Sequence, residues 1–120
     1  MAHGHNNALG DFGQHRAERH LVAQGMVVLD RNWRCESGEI DLVLREGNTL
    51  VICEVKTRAS ARFGDPLEAV TQAKAGRLRV LAEKWMENRG LHPPDVRFDV
   101  VGVLQDGHGR AEVNHVRGIA

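Results

Sequence analysis

Two strand-like runs, Glu39 to Glu46 and Thr49 to Thr57, flank Gly47-Asn48, and this pattern restricts the fold more than any other part of the chain. A Gly-first two-residue loop between apolar runs is a strong local signal for a β-hairpin. Pairing residues equidistant from the loop sets Ile40 opposite Val55, Leu42 opposite Cys53 and Leu44 opposite Val51. All three pairs are apolar, so this register predicts one buried face. The other face pairs Val43 with Ile52, Asp41 with Glu54, and Glu39 with Lys56. Asp41 and Glu54 become cross-strand neighbours with Cβ atoms ~5 Å apart. Lys56 shares their side, because strand side chains alternate.

Like charges directly opposite each other destabilise a sheet unless something compensates them. A divalent cation such as Mg²⁺ does so with a few carboxylate oxygens, water and substrate phosphate. A neighbouring lysine then steers or activates water and stabilises developing negative charge. Asp, Glu and Lys around Mg²⁺ or Mn²⁺ suit metal-assisted hydrolysis of a phosphodiester. A surface cluster in which Lys56 and Arg45 neutralise Glu39, Asp41 and Glu54 accounts for the same charges equally well, and these residues alone leave both readings open.

The flanking sequence predicts the order α-β-β-β-α-β-β, an α/β domain with a mixed sheet flanked by helices. Leu9, Phe12, Ala17 and Leu21 recur at helical spacing up to Gln24, with Gly25 as a stop; Gly10 and Gly13 weaken the start of this helix. Met26 to Trp33 reads as a strand. Asp65 caps a second helix, with Pro66 at its first position and Glu68 completing the box; Gly90 and Pro93-Pro94 end it. Val96 to Leu104 and Ala111 to Val116 are the last strands, separated by a turn at residues 106–109. At 120 residues the chain has room for one domain with its own core, expected over residues 8–120 behind a loose tail at residues 1–7. The tail lacks the apolar stretch of a signal peptide. No apolar run approaches the ~20 residues of a membrane span.

Several functions are disfavoured. Sixteen basic residues balance sixteen acidic ones, which argues against non-specific coating of nucleic acid but permits a local basic surface. Cys35 and Cys53 form no disulfide framework and suggest a reducing, cytoplasmic setting. The histidines lack ligand-like spacing for zinc, and no Gly-rich phosphate loop is present.

Gly38-Glu39-Ile40-Asp41-Leu42-Val43 and Cys53-Glu54-Val55-Lys56-Thr57-Arg58 resemble blocks of the YraN-like family of small bacterial proteins. Arg31-Asn32-Trp33-Arg34, Phe63-Gly64-Asp65-Pro66 and Arg97-Phe98-Asp99-Val100 extend the likeness from about Leu9 to Leu104. That family in turn resembles the PD-(D/E)xK nuclease superfamily, which includes restriction enzymes and archaeal Holliday-junction resolvases. The resemblance implies a restriction-endonuclease-like core, metal ligation by Asp41, Glu54 and the Val55 carbonyl, and a catalytic role for Lys56. Gln14 stands where the first helix of such proteins usually carries a metal-binding glutamate, with Glu18 one turn later as a substitute. The implied function is Mg²⁺-dependent hydrolysis of structured or branched DNA. A non-catalytic nucleic-acid-binding module and a partner-binding adaptor are the alternatives. The resolvases are dimers, which leaves a homodimer open.

Basic residues outnumber acidic ones between Lys56 and Arg89, beside the expected site. Arg58 and Arg62 are placed to hold backbone phosphates. Arg34, next to Trp33, offers a cation beside a stacking ring, although Trp33 is equally needed to fill the core. In the second helix, Leu67, Val70, Leu78, Leu81 and Trp85 form an apolar stripe with Lys74 at its centre. Lys74 either snorkels to the rim or reaches toward a bound phosphate.

Overall fold

Gly47 takes φ +59°, the left-handed conformation that a Gly-first hairpin turn demands. The turn joins β2 (Gly38–Glu46) to β3 (Thr49–Arg58) in the register predicted from the sequence, from Glu46 opposite Thr49 to Leu42 opposite Cys53. The computed structural model describes residues 8–59, 72–105 and 110–119. In it the hairpin forms the middle of a five-stranded sheet. The other elements are α1 (Ala8–Ala23), β1 (Val27–Cys35), α2 (Gln72–Arg89), β4 (Asp95–Gln105) and β5 (Ala111–Val116). The sheet order is β1-β2-β3-β4-β5. Only β3 and β4 run parallel, and the chain between them carries α2, the long connection that parallel strands require. This is the predicted mixed α/β topology, in the predicted order.

Both helices stop at glycines. Gly25 and Gly90 have positive φ, and Met26 N–H and Leu91 N–H donate to Leu21 and Met86 carbonyls as in a Schellman end. The predicted tail at residues 1–7, the helix cap at Asp65 and Pro66, the stripe positions Leu67 and Val70, and the turn at 106–109 lie outside the described residues.

The expectation of one apolar face is corrected. Ala17 and Leu21 of α1 pack on Leu42, Leu44, Val51, Cys53, Val101 and Val103. Leu78, Leu81, Ala82 and Trp85 of α2 pack on Ile40, Val43, Leu50, Ile52 and Phe98. Both faces are therefore buried under helices, as the unbroken apolar run Leu42-Val43-Leu44 requires. Trp33 joins the α2 side, so its ring belongs to the interior. Among the described residues no helix is long and apolar enough to cross a membrane.

Candidate functional site

Regular alternation fails on two adjacent strands, and β1 also shifts register against β2 between Val28 and Asp30. On β1, Asp30 accepts hydrogen bonds from Trp85 and Arg89 of α2, whereas Arg31 pairs with Glu18 of α1. Alternation would then turn Trp33 toward α1, yet Trp33 packs on the α2 side. The slip falls at Asn32, whose φ of +51° is unusual for a residue with a side chain. On β2, Leu42 and Leu44 face α1 and Val43 faces α2, but Ile40 also joins the α2 cluster. This second slip brackets Asp41. The predicted pairing of Ile40 with Val55 on the α1 side is thereby corrected.

The slip opens the hairpin. Pairing of β2 with β3 stops at Leu42 and Cys53, while β3 stays paired to β4 as far as Arg58. Asp41 Oδ2 takes over as partner of the Val55 N–H at 2.8 Å. Asp41 and Glu54 do not form the expected ladder pair, but they do line one cleft. It has a volume of about 180 Å³ and is lined also by Gly38, Glu39, Lys74 and Arg77 over the apolar floor of Leu78 and Leu81.

Charge in this cleft is crowded. Glu54 is buried, and its Oε2 lies 2.7 Å from Lys74 Nζ and 3.3 Å from Lys56 Nζ. Burial and then the Glu54 charge push the Asp41 carboxyl up to about 7, against the opposing pull of the Val55 N–H. Burial, reinforced by the neighbouring Lys74, lowers the proton affinity of Lys56. Burial acts the same way on Lys74 and is the largest single influence, but its bonds to Glu54 and Lys56 and the Glu54 and Asp41 charges together outweigh it and hold its pKa above the usual lysine value.

Of the other predicted residues, Gln14 comes close. Its Nε2 donates a long hydrogen bond of 3.4 Å to the Asp41 carbonyl, so α1 touches β2 at the slipped residue itself. Gly13 makes this approach possible, because a Cβ there would overlap the Thr57 side chain. The glycine that weakens the helix is the one that lets it sit against β3. Glu18 is committed elsewhere, in a two-pronged pair with Arg31 at 2.7 Å for each bond. Arg58 is half-buried at the end of β3, and exposed Arg34 lies 3.5 Å from Glu39. Arg62 lies outside the described residues.

Among the described residues no three His, Cys, Asp or Glu side chains converge as a metal-ligand group. The donor set is Asp41 and Glu54, with Asp41 held short of full ionisation by burial and by the Glu54 charge. Such a set suits Mg²⁺, which keeps several waters and takes one or two carboxylates.

Two features escaped sequence reasoning. Arg77, one turn beyond Lys74, lines the same cleft and is visible in retrospect from that spacing. Asp99 is fully buried on β4 and accepts hydrogen bonds from Arg97, His115 Nε2 and the Gly118 N–H. Burial alone would raise its carboxyl, but these donors hold it below the usual value. With Ile119 N–H bonded to the Phe98 carbonyl, this network ties down the chain after β5. It is a structural clamp, and His115 is a satisfied histidine.

Fold and cleft together define an α/β protein with paired acidic and basic side chains where its central hairpin parts. The chain belongs to the uncharacterised protein family UPF0102, whose model matches residues 13–103. That span contains Asp41, Glu54, Lys56 and Lys74 and all five blocks that carry the YraN-like resemblance. A UPF0102 protein of Nocardioides sp. is 59% identical, the match covering 93% of this chain and 90% of that one. Another from Frankia alni is 52% identical over 98% of both chains. One from Streptomyces coelicolor is 52% identical over 94% of this chain and 88% of its own.

Proposed function

We propose that this protein is a Mg²⁺-dependent nuclease-like phosphodiesterase acting on structured or branched DNA in the cytoplasm. The observation that supports it most is the joint placement of Asp41 and Glu54 in one cleft with Lys56 beside them, at the point where β2 leaves β3. Asp41, Glu54 and the Val55 carbonyl would hold the metal, with Gln14 contributing from α1. When bound, the cation supplies Lewis-acid polarisation of the phosphate and a more acidic water.

The side chains do the rest. Lys56, with its lowered proton affinity, is suited to take a proton from the attacking water. Lys74, Arg58, Arg62 and Arg34 hold phosphate oxygens and orient the backbone; they position the substrate without reading sequence. The Asp41 bond to the Val55 N–H fixes the carboxylate relative to β3, so the geometry of the cleft does not depend on the metal.

A specific observation favours one other reading. Gln14 is an amide bonded to the Asp41 carbonyl, not a third carboxylate, which is the arrangement expected of a non-catalytic nucleic-acid-binding module. One assay separates the two. Labelled duplex, single-stranded and four-way-junction DNA are incubated with the protein and with Lys56→Ala, in Mg²⁺, Mn²⁺ or EDTA. Cleavage that needs metal and falls by about 10²–10³ in the variant supports the nuclease. Binding without cleavage by either protein establishes the module.

A further inference from the structure

The proposed chemistry gives Lys74 a phosphate to hold but leaves its contact with Glu54 unexplained. Lys74 Nζ stands 2.7 Å from Glu54 Oε2, closer than Lys56 at 3.3 Å from the same oxygen. Lys74 comes from α2 and Lys56 from β3, so the carboxylate is gripped from the helix as well as from its own strand. The Lys74 ammonium occupies the side of Glu54 that faces the cleft, where Asp41, Glu39 and Arg77 also meet. A divalent ion on Glu54 would sit about 2 Å from a carboxylate oxygen. An ammonium at hydrogen-bond distance from that oxygen competes with it for lone pairs and repels it. The lysine stem has four flexible carbons, and its side chain is a quarter exposed, so the head can swing outward without unfolding α2.

We propose that Lys74 is the resident counter-ion of Glu54 in the metal-free protein and is exchanged for the divalent cation. On exchange its ammonium passes from the carboxylate to a phosphate oxygen of the nucleic acid. The inference rests on the metal-site reading above. It adds a consequence that reading lacks: metal and nucleic acid bind with positive coupling. Each metal bound releases an ammonium for phosphate, and each phosphate that captures Lys74 vacates Glu54. By linkage the enhancement is equal in both directions. Lys74 is thus a positioning residue that makes tight DNA binding conditional on a loaded metal site.

Calorimetry with Ca²⁺ alone and anisotropy of a labelled four-way junction, in EDTA and in Ca²⁺, test this without any cleavage. The proteins are the parent, Lys74→Met, Lys74→Gln and Arg77→Met; the last removes the same charge from the same cleft. Thermal melts confirm that each is folded. If exchange occurs, both Lys74 variants bind Ca²⁺ about fivefold more tightly or better, and Arg77→Met changes affinity much less. Ca²⁺ then strengthens junction binding for the parent and Arg77→Met but not for the Lys74 variants. Equal tightening in Lys74 and Arg77 variants would reduce the effect to general electrostatics and overturn the exchange. Unchanged coupling in Lys74→Met and Lys74→Gln would overturn it too. Ca²⁺ binding by none of the four proteins would overturn the metal site itself and the exchange with it.

Discussion

Asp41→Asn should stabilise the metal-free protein above neutral pH and do little in acid. Burial and the Glu54 charge raise the folded-state Asp41 carboxyl from its usual 3.8 to about 7. Between those values the folded protein keeps a proton that the unfolded chain has released. Stability therefore falls as pH rises through that window and levels off above it. Three pH units at 1.36 kcal/mol each set a ceiling of about 4 kcal/mol. The cleft opens to solvent and Asp41 is only partly shielded, so the expected loss is about 1–2 kcal/mol. Asparagine matches the shape, its Oδ1 still accepts the Val55 N–H, and it has no charge for Glu54 to repel. Urea unfolding in EDTA near pH 4 and near pH 8 reads the difference directly. The variant should gain about 1–2 kcal/mol on the parent between the two conditions. A gap that does not change with pH, or a variant less stable than the parent at pH 8, would refute the claim that burial and the Glu54 charge disfavour ionised Asp41 in the folded protein.

Three further outcomes follow from the same geometry. Gly13→Ala removes a poor helix former but forces a Cβ onto Thr57; it should destabilise by about 1–3 kcal/mol in urea unfolding, and Gly13→Ala/Thr57→Ala should recover part of the loss. Gln14→Glu should tighten Mg²⁺ binding by calorimetry while costing about 1 kcal/mol of metal-free stability, because the donor to the Asp41 carbonyl is lost; an unchanged metal affinity would mean that Gln14 supports the backbone only. DNA affinity should fall steeply with salt, with a log–log slope of roughly −3 that flattens in Arg58→Ala/Arg62→Ala/Lys74→Ala, and a slope near zero would point to a protein partner.

The hairpin was legible because its three apolar pairs and Gly-first loop admit one register, and Leu42 with Cys53 and Leu44 with Val51 occur as read. That Asp41 and Glu54 come together was legible, but the geometry of their cleft was not. Reading strict alternation through Asp41 placed Ile40 on the same face as Leu42 and Leu44, whereas the backbone slips at Asn32 and Asp41 and sends Ile40 to the α2 side. Asn adopts the left-handed conformation more readily than most residues with side chains, but nothing local says that it does so within a strand, and the compensating bond from Val55 N–H to Asp41 is tertiary. Lys74 stood out as a charge within an apolar stripe, but its partner Glu54 lies on β3, beyond the reach of helix periodicity. Asp99 showed only as part of a resemblance block, without a role, since its partners Arg97, His115 and Gly118 meet only once β5 pairs with β4.

The central claim is that Asp41 and Glu54 form a divalent-cation site. Titration of Mn²⁺ into the protein, followed by loss of the free-ion electron paramagnetic resonance signal, measures this directly against Asp41→Asn/Glu54→Gln. The account predicts one site per chain in the parent, displaced by Mg²⁺ and absent from the double variant. A parent protein that binds no Mn²⁺, or a double variant that binds it as tightly, would contradict it.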